Sequence, residues 1–283
     1  MVLSKRNFIL HFGDKSLDLN IPKVMGILNL TPDSFYDGGA YKSEKDLLSK
    51  VETMLIDGAE IIDIGAVSTR PGATEVSADE EIKRLLPAIK KISSSFPEAI
   101  ISIDTYRSEV ARQSINGGAH IINDISGGTL DAQMAQTIAE LKVPYILMHI
   151  QGSPKNMQNN PVYENVTSDV IKFFEKQLKT LNALQVSNNI ILDPGFGFGK
   201  NLEHNYELLK NLEQIKALGY PILAGVSRKS MINKILETSP ENALNGTTVV
   251  NTIALLNGAN ILRVHDVKAA MEAIKICNYY KTV

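Results

Sequence analysis

Eight short, branched and almost wholly apolar runs recur along the chain, each set between turn residues: VMGILN (24–29), IIDIGA (61–66), IISID (100–104), IINDIS (121–126), YILMHI (145–150), IILDPG (190–195), PILAGV (221–226) and ANILRV (259–264). A strand that is apolar on both faces must be covered on both, as in a parallel sheet dressed with helices. The segments between carry a helical period. They include SEKDLLSKVETMLIDG, with Ser43 as N-cap and Gly58 just past the end, then ADEEIKRLLPAIKKISSSF, SEVARQSINGG, DAQMAQTIAEL and NLEHNYELLKNLEQIKALGY. Eight strand–helix units with no linker predict one α/β domain over residues 1–283, a (β/α)8 barrel of the TIM type spanning 23–283. The HFGDKS turn between two apolar stretches predicts a β-hairpin within residues 1–22. The competing architecture, an open doubly wound sheet, carries a GxGxxG turn after its first strand, and GILNLTPDSF has none.

Composition narrows the partners. With 44% hydrophobic residues in 283, the chain has enough apolar material for a large core. Its 29 basic and 31 acidic residues are spread along the sequence, with no Arg- or Lys-rich tract to follow a phosphate backbone, which argues against nucleic acid. The single cysteine, Cys277, rules out an intrachain disulfide and a cysteine-rich metal site, and core or dimer packing is its expected role. The start MVLSKRNFILHFGDKS lacks the apolar stretch of a signal peptide, and no apolar run approaches the ~20 residues that span a membrane. A cytoplasmic protein without a membrane partner is expected.

In a barrel of this kind the site lies at the carboxyl ends of the strands, so the polar residues closing each apolar run are the informative ones. In order they are Asn29, Asp63, Asp104, Asn123 with Asp124, His149, Asp193, Ser227 to Lys229, and Arg263 with His265. Taken singly, Asp63, Asp124 and His149 are as readily explained as buried polar groups satisfied by their neighbours. Taken together, the carboxylates of Asp104 and Asp193 and the amide of Asn123 suit a flat, donor-rich heterocycle. Lys229, Arg263, His265 and Arg70 supply positive charge for an anion. Asn29 offers a neutral oxygen to a hard cation such as magnesium, whereas no HxH, HExxH or carboxylate cluster calls for zinc or iron. His11, His120 and His204 are expected in surface or packing roles. The connections LTPDSFYDGGAY, VSTRPGATEVS and QGSPKNMQNNP, after the first, second and fifth strands, are long and polar, as expected of mobile cover over a site.

The run ILDPGFGFGKN resembles a phosphate loop at first sight, but its spacing is wrong. A Walker loop needs glycine where Pro194 stands and Ser or Thr where Asn201 stands, and the dinucleotide spacing needs glycine at Lys200. Asp193 would also repel a phosphate. The run is instead expected to be the sixth strand-to-helix turn, with Asp193 facing a ring's donors and Phe198 as an aromatic wall.

In order, MGILNLTPDSFYDGG, GAVSTRPGA, SIDT, INDISGG, LMHIQGSP, ILDPGFGFGK, GVSRKS and ILRVHDV resemble the dihydropteroate synthases over residues 24–267. The resemblance implies condensation of 6-hydroxymethyl-7,8-dihydropterin diphosphate with 4-aminobenzoate, magnesium as cofactor, a homodimer, and competition by sulfonamide analogues of 4-aminobenzoate. It implies Asn29 at the metal and Asp104, Asn123, Asp193 and Lys229 around the pterin. It also implies Thr69, Arg263 and His265 at the diphosphate, with Arg70, Pro71, Phe198 and Ser230 beside the aminobenzoate. Asp104, Lys229 and Arg263 are the implied catalytic residues. Many relatives have GGESTRPG where this chain has Ala66 and Val67, so no carboxylate role attaches to position 67. A barrel that transfers a methyl group from methyltetrahydrofolate shares the acid and asparagine strand ends, and a non-enzymatic pterin carrier is a further alternative. Neither needs the NLTPDSF, STRPG, SRKS and RVH blocks that suit an expelled diphosphate.

Overall fold

The computed structural model describes residues 7–13, 15–30, 36–37, 40–41, 44–67, 76–158 and 160–283. The expectations for Ser43, Thr69, Arg70 and Pro71 lie outside these residues, as do parts of the first, second and fifth connections. The elements are β1 (Ile9–Phe12), β2 (Lys15–Asp18), β3 (Lys23–Asn29), β4 (Tyr36–Asp37), β5 (Ala40–Tyr41), α1 (Glu44–Ile56), β6 (Ile61–Gly65), α2 (Ala78–Ser95), β7 (Ile100–Asp104), α3 (Ser108–Asn116), β8 (Ile121–Asp124) and α4 (Met134–Leu141). They continue with β9 (Tyr145–Met148), α5 (Val166–Ala183), β10 (Ile190–Asp193), α6 (Leu202–Lys210), α7 (Leu212–Lys216), β11 (Leu223–Ala224), α8 (Ser230–Leu236), α9 (Leu244–Leu256), β12 (Ile261–Val264) and α10 (Val267–Tyr280).

Eight of these strands form one parallel sheet in the order β10-β9-β8-β7-β6-β3-β12-β11. The two ends meet where Leu192 bridges Ile222, with Leu192 N–H donating to the Pro221 carbonyl at 2.9 Å, so the barrel is nearly closed. β11 is only two residues long, and this seam is the shortest ladder in the wall.

Side chains alternate along a strand, so one parity faces the barrel axis and the other the helices. The outward set, including Val24, Leu28, Ile62, Ile64, Ile101 and Ile103, packs with Leu47, Val51, Leu85 and Ile89 of α1 and α2 in the main apolar cluster. The inward set begins with Met25, Ile61, Ile100, Ile121, Ile146, Ile191, Leu223 and Ile261. The β1–β2 hairpin closes that end, its Leu10 and Phe12, with Leu17 and Leu19, joining the same cluster. Asn189 exchanges two hydrogen bonds with the His11 backbone, at 2.9 and 2.7 Å, and Asn260 donates to the Leu19 carbonyl at 2.9 Å.

One helical expectation is revised. The segment from Asn201 to Tyr220 is two helices, because Asn211 leaves the helical conformation at ψ 17° and closes α6 before α7 begins. Asn is a poor helix-interior residue, since its side chain competes for backbone groups. α8, the helix that follows the SRK segment, has only seven residues, too few to show a period in the sequence. His204 closes a capping box with Asn201 at the start of α6, and His120 Nδ1 accepts from the Ile101 N–H at 3.1 Å, so both serve local structure. Cys277 is buried on α10. Among the described residues no helix is long and apolar enough to cross a membrane.

Candidate active site

Two positions beyond the apolar floor, the inward residues of the same strands are Ile27, Asp63, Ser102, Asn123, Met148, Asp193, Gly225 and Arg263. Their centre is Arg263 on β12. Its Nε donates to Asp63 Oδ2 at 2.6 Å and its Nη2 to Asp104 Oδ2 at 2.8 Å, so one guanidinium ties β12 to both β6 and β7. Asn123 Nδ2 donates to the same Asp63 oxygen at 3.1 Å. One of its amide hydrogens is thereby used, leaving the other and the amide oxygen for a ligand.

The charges are unevenly balanced. Burial works against the charge of Arg263, yet Asp63 and Asp104 more than offset it and hold its pKa above the ordinary guanidinium value. Asp104 moves the other way. Burial raises its pKa to about 7, the Arg263 charge opposing and Asp63, Glu81 and Asp124 adding to the rise. Across the mouth, burial also raises Asp193, against the pull of Lys229, while Gly195 N–H donates to its Oδ1 at 2.7 Å. Burial lowers Lys229 to about 8, the Asp193 charge opposing. Lys229 Nζ donates to the Phe196 carbonyl at 2.5 Å and sits 4.8 Å from the centre of the Phe198 ring. Phe198 also packs against a small apolar cluster of Ile125, Met148, Ile150 and Met157.

At the rim, Asn29 is exposed at the end of β3. A Cβ placed on Gly65 would lie 3.7 Å from both Asn29 Oδ1 and Asp104 Oδ2, so this amide oxygen and carboxylate flank one gap. His265 Nδ1 and Ser227 Oγ are 3.0 Å apart, and Arg228 and Asp266 form a two-pronged ion pair at 3.0 and 2.7 Å, joining the loops after β11 and β12. Desolvation, then the charges of Arg263 and Arg228, pushes the His265 imidazole down to about 4, so it is neutral at physiological pH. Ser230 is exposed as the first residue of α8. The second connection is held at both described stems: Arg84 donates to the Ala66 carbonyl at 3.1 Å, and Arg107, ion-paired with buried Glu81, donates to the Val76 carbonyl at 2.7 Å.

The sequence-derived residues thus divide. Asn29, Asp104, Asn123, Asp193, Phe198, Lys229, Arg263 and His265 share the mouth, and Ser230 lies beside it. Of the three left open, Asp124 accepts four bonds, from Ser126 N–H and Oγ, Gly128 N–H and Tyr145 Oη, each at 2.7 Å, and is saturated as a turn former. His149 is buried against Lys200 at 2.9 Å. Asp63 is the carboxylate that holds Arg263 and Asn123; its inward parity sets it on their surface, and the order of the strands sets the pairing. Arg263, expected as a free cation for an anion, is already shared between two carboxylates.

The sequence pattern of the pterin binding enzyme family matches residues 25–265. A dihydropteroate synthase of Escherichia coli (strain K12) is 47% identical over 266 residues, covering 92% of each chain. Among solved structures, the Yersinia pestis dihydropteroate synthase in a sulfonamide drug complex superposes with a TM-score of 0.91 at 42% identity, over 97% of this chain and 100% of that one. The Xanthomonas albilineans dihydropteroate synthase with 4-aminobenzoic acid gives 0.90 at 34% identity, over 98% and 99%.

Proposed function

Because this chain belongs to the pterin-binding enzyme family, within it to the dihydropteroate synthases, we propose that its barrel mouth holds the pterin low, the diphosphate at the rim and the aminobenzoate against Phe198. The reaction breaks the bond between the methylene carbon of 6-hydroxymethyl-7,8-dihydropterin diphosphate and its bridging oxygen. The amine nitrogen of 4-aminobenzoate bonds to that carbon, diphosphate departs with the electron pair, and the amine releases one proton, giving 7,8-dihydropteroate.

The observation that carries the assignment of roles is the Asp63–Arg263–Asp104 bridge beside Asn123, facing Lys229 and Asp193. A reduced pterin presents an amine and ring N–H groups to acceptors, and Asp193 with the free Asn123 oxygen supplies them. Lys229, between Asp193 and the Phe198 ring, donates to a ring acceptor. The methylene is attached to an electron-rich ring, so departure of diphosphate runs ahead of attack and leaves positive charge spread over the pterin. Asp104 at the end of β7 offsets that charge, and preorganised contacts of this kind contribute on the order of 10²–10³ in rate. The arylamine is a neutral nucleophile and needs placement rather than deprotonation, which Phe198 and Ser230, with Arg70 and Pro71, provide. Thr69, His265 and Arg263 belong to the diphosphate end. The roles of Thr69, Arg70 and Pro71 rest on the STRPG block alone.

Magnesium fits this rim. Asn29 offers it an exposed neutral oxygen, which suits a hard cation. A magnesium ion would take Asn29 Oδ1 and complete its shell with water and diphosphate oxygens. When bound, it supplies charge neutralisation to the leaving diphosphate.

A homodimer is supported by exposed apolar residues on the last two helices, Val249, Ile253 and Leu256 of α9 and Ile276, Tyr279 and Tyr280 of α10. A cytoplasmic location fits the same enzyme. The direct test incubates the purified protein with the pterin diphosphate, magnesium and 4-aminobenzoate. Diphosphate release that depends on 4-aminobenzoate, and is competed by a sulfonamide, is expected. Release indifferent to 4-aminobenzoate would overturn the proposal.

A further inference from the structure

The turn from Gly195 to Asn201 has its backbone oxygens taken up by side chains one after another. Lys229 donates to the Phe196 carbonyl, Gln158 to Gly197 at 2.7 Å, Tyr163 Oη to Gly199 at 2.7 Å, and Asn205 to Lys200 and Asn201 at 3.3 and 2.5 Å. The remaining oxygens, of Gly195 and Phe198, both accept from Lys200 Nζ at 3.0 Å. The same ammonium reaches His149 Nδ1 at 2.9 Å and the His149 carbonyl at 3.4 Å, and Lys200 is 3% exposed. A phosphate cradle turns N–H groups inward. Here carbonyl oxygens converge on the Lys200 nitrogen, whose pKa burial lowers to about 7 with the Asp193 charge opposing, so the turn is built around a donor that it supplies itself. Only glycine allows this approach: a Cβ at Gly195 would lie 1.9 Å from the His149 oxygen, and one at Gly199 would lie 2.5 Å from the Gln151 oxygen.

We propose that Lys200 is a positioning residue for the condensation: its ammonium, set among the Gly195, Phe198 and His149 oxygens, fixes the turn that presents Phe198 to the aminobenzoate ring. The inference rests on the dihydropteroate synthase reading of the site. Lys200 touches neither substrate in this arrangement and acts through the turn. His149 completes the seat as an acceptor, which requires a neutral ring with its hydrogen on Nε2. Burial first, then the Lys200 charge, holds that imidazole far down, to about 2. Phe173 packs edge-on against the ring at 4.9 Å and keeps it turned toward the lysine. Asp193 depends less on Lys200. It is held by its strand, through His149 N–H to the Asp193 carbonyl at 3.0 Å, and by the Gly195 N–H.

Lys200→Met retains the length and apolar stem but removes every donor. In the variant KM for 4-aminobenzoate, measured at saturating pterin diphosphate, is expected to rise about tenfold while KM for the pterin diphosphate changes less than about threefold. A variant that melts at lower temperature with both KM values unchanged overturns the proposal. The parent enzyme is assayed alongside: a parent that does not condense the two substrates overturns the reading beneath, whereas an active parent with a kinetically silent variant overturns this inference alone. Should Lys200→Met not fold, the parent labelled with nitrogen-15 lysine answers the same question. Its solvent-protected Lys200 ammonium signal is expected to shift when 4-aminobenzoate joins the pterin-loaded enzyme, and an unmoved signal contradicts the proposal.

Discussion

The two ends of the barrel are made by the same strands with the same alternation, yet their inward faces differ completely. At the hairpin end all eight inward residues are apolar, Ile121 and Ile146 among them, and the hairpin side chains fill the remaining space. One step further along the same parity stand the polar and charged Asp63, Asn123, Asp193 and Arg263. Even there the satisfaction is incomplete. Asp63 Oδ1 and Ser102 Oγ, on register-paired residues of β6 and β7, are buried without a hydrogen-bond partner. Such orphans are normally avoided in a core because each sacrifices solvation. The floor therefore stabilises a mouth that is arranged for ligands rather than for its own stability.

Substitutions should separate the two ends. Asp104→Asn and Lys229→Ala leave the floor untouched and are expected to fold with little change in melting temperature, while kcat/KM for condensation falls on the order of 10²–10³-fold; steady-state diphosphate release measures this. Ile121→Ala makes the opposite change. It removes a fully buried side chain from the floor and should destabilise by about 2–5 kcal/mol in urea unfolding, with turnover per folded molecule nearly unchanged. The third effect is electrostatic and is read as a pH dependence. Asp104 has a pKa raised from 3.8 to about 7 in the folded chain, so between these values the folded state binds more protons than the unfolded one. Its contribution to stability is complete below the unfolded value and is lost as pH rises through about 7. Asp104→Asn should therefore flatten part of the parent's decline in stability between about pH 4 and 7, as read by unfolding at a series of pH values.

Much of this contrast is written in the strands. A run such as IIDIG or IISID declares a doubly covered strand, and counting its parity from the apolar floor puts Asp63, Asp104, Asn123, Asp193 and Arg263 on one surface. What parity cannot supply is pairing. That Asp124 would saturate itself within its own turn while Asp63, equally buried, would bridge Asn123 and Arg263 depends on which strands become neighbours. The two-residue seam at β11 and the break at Asn211 are similarly products of closure and of one side chain's competition for backbone. Lys200 left the least trace, because a lysine in a glycine-rich turn reads as exposed until the carbonyls around it are placed.

The separation of the two ends is tested most directly by measuring kcat/KM and urea stability together for the parent, Asp104→Asn and Ile121→Ala. A crossed result is expected, with activity lost and stability kept in Asp104→Asn, and stability lost with activity per folded molecule kept in Ile121→Ala. Parallel losses of both properties in both variants would contradict the division of the barrel into a stabilising floor and a reacting mouth.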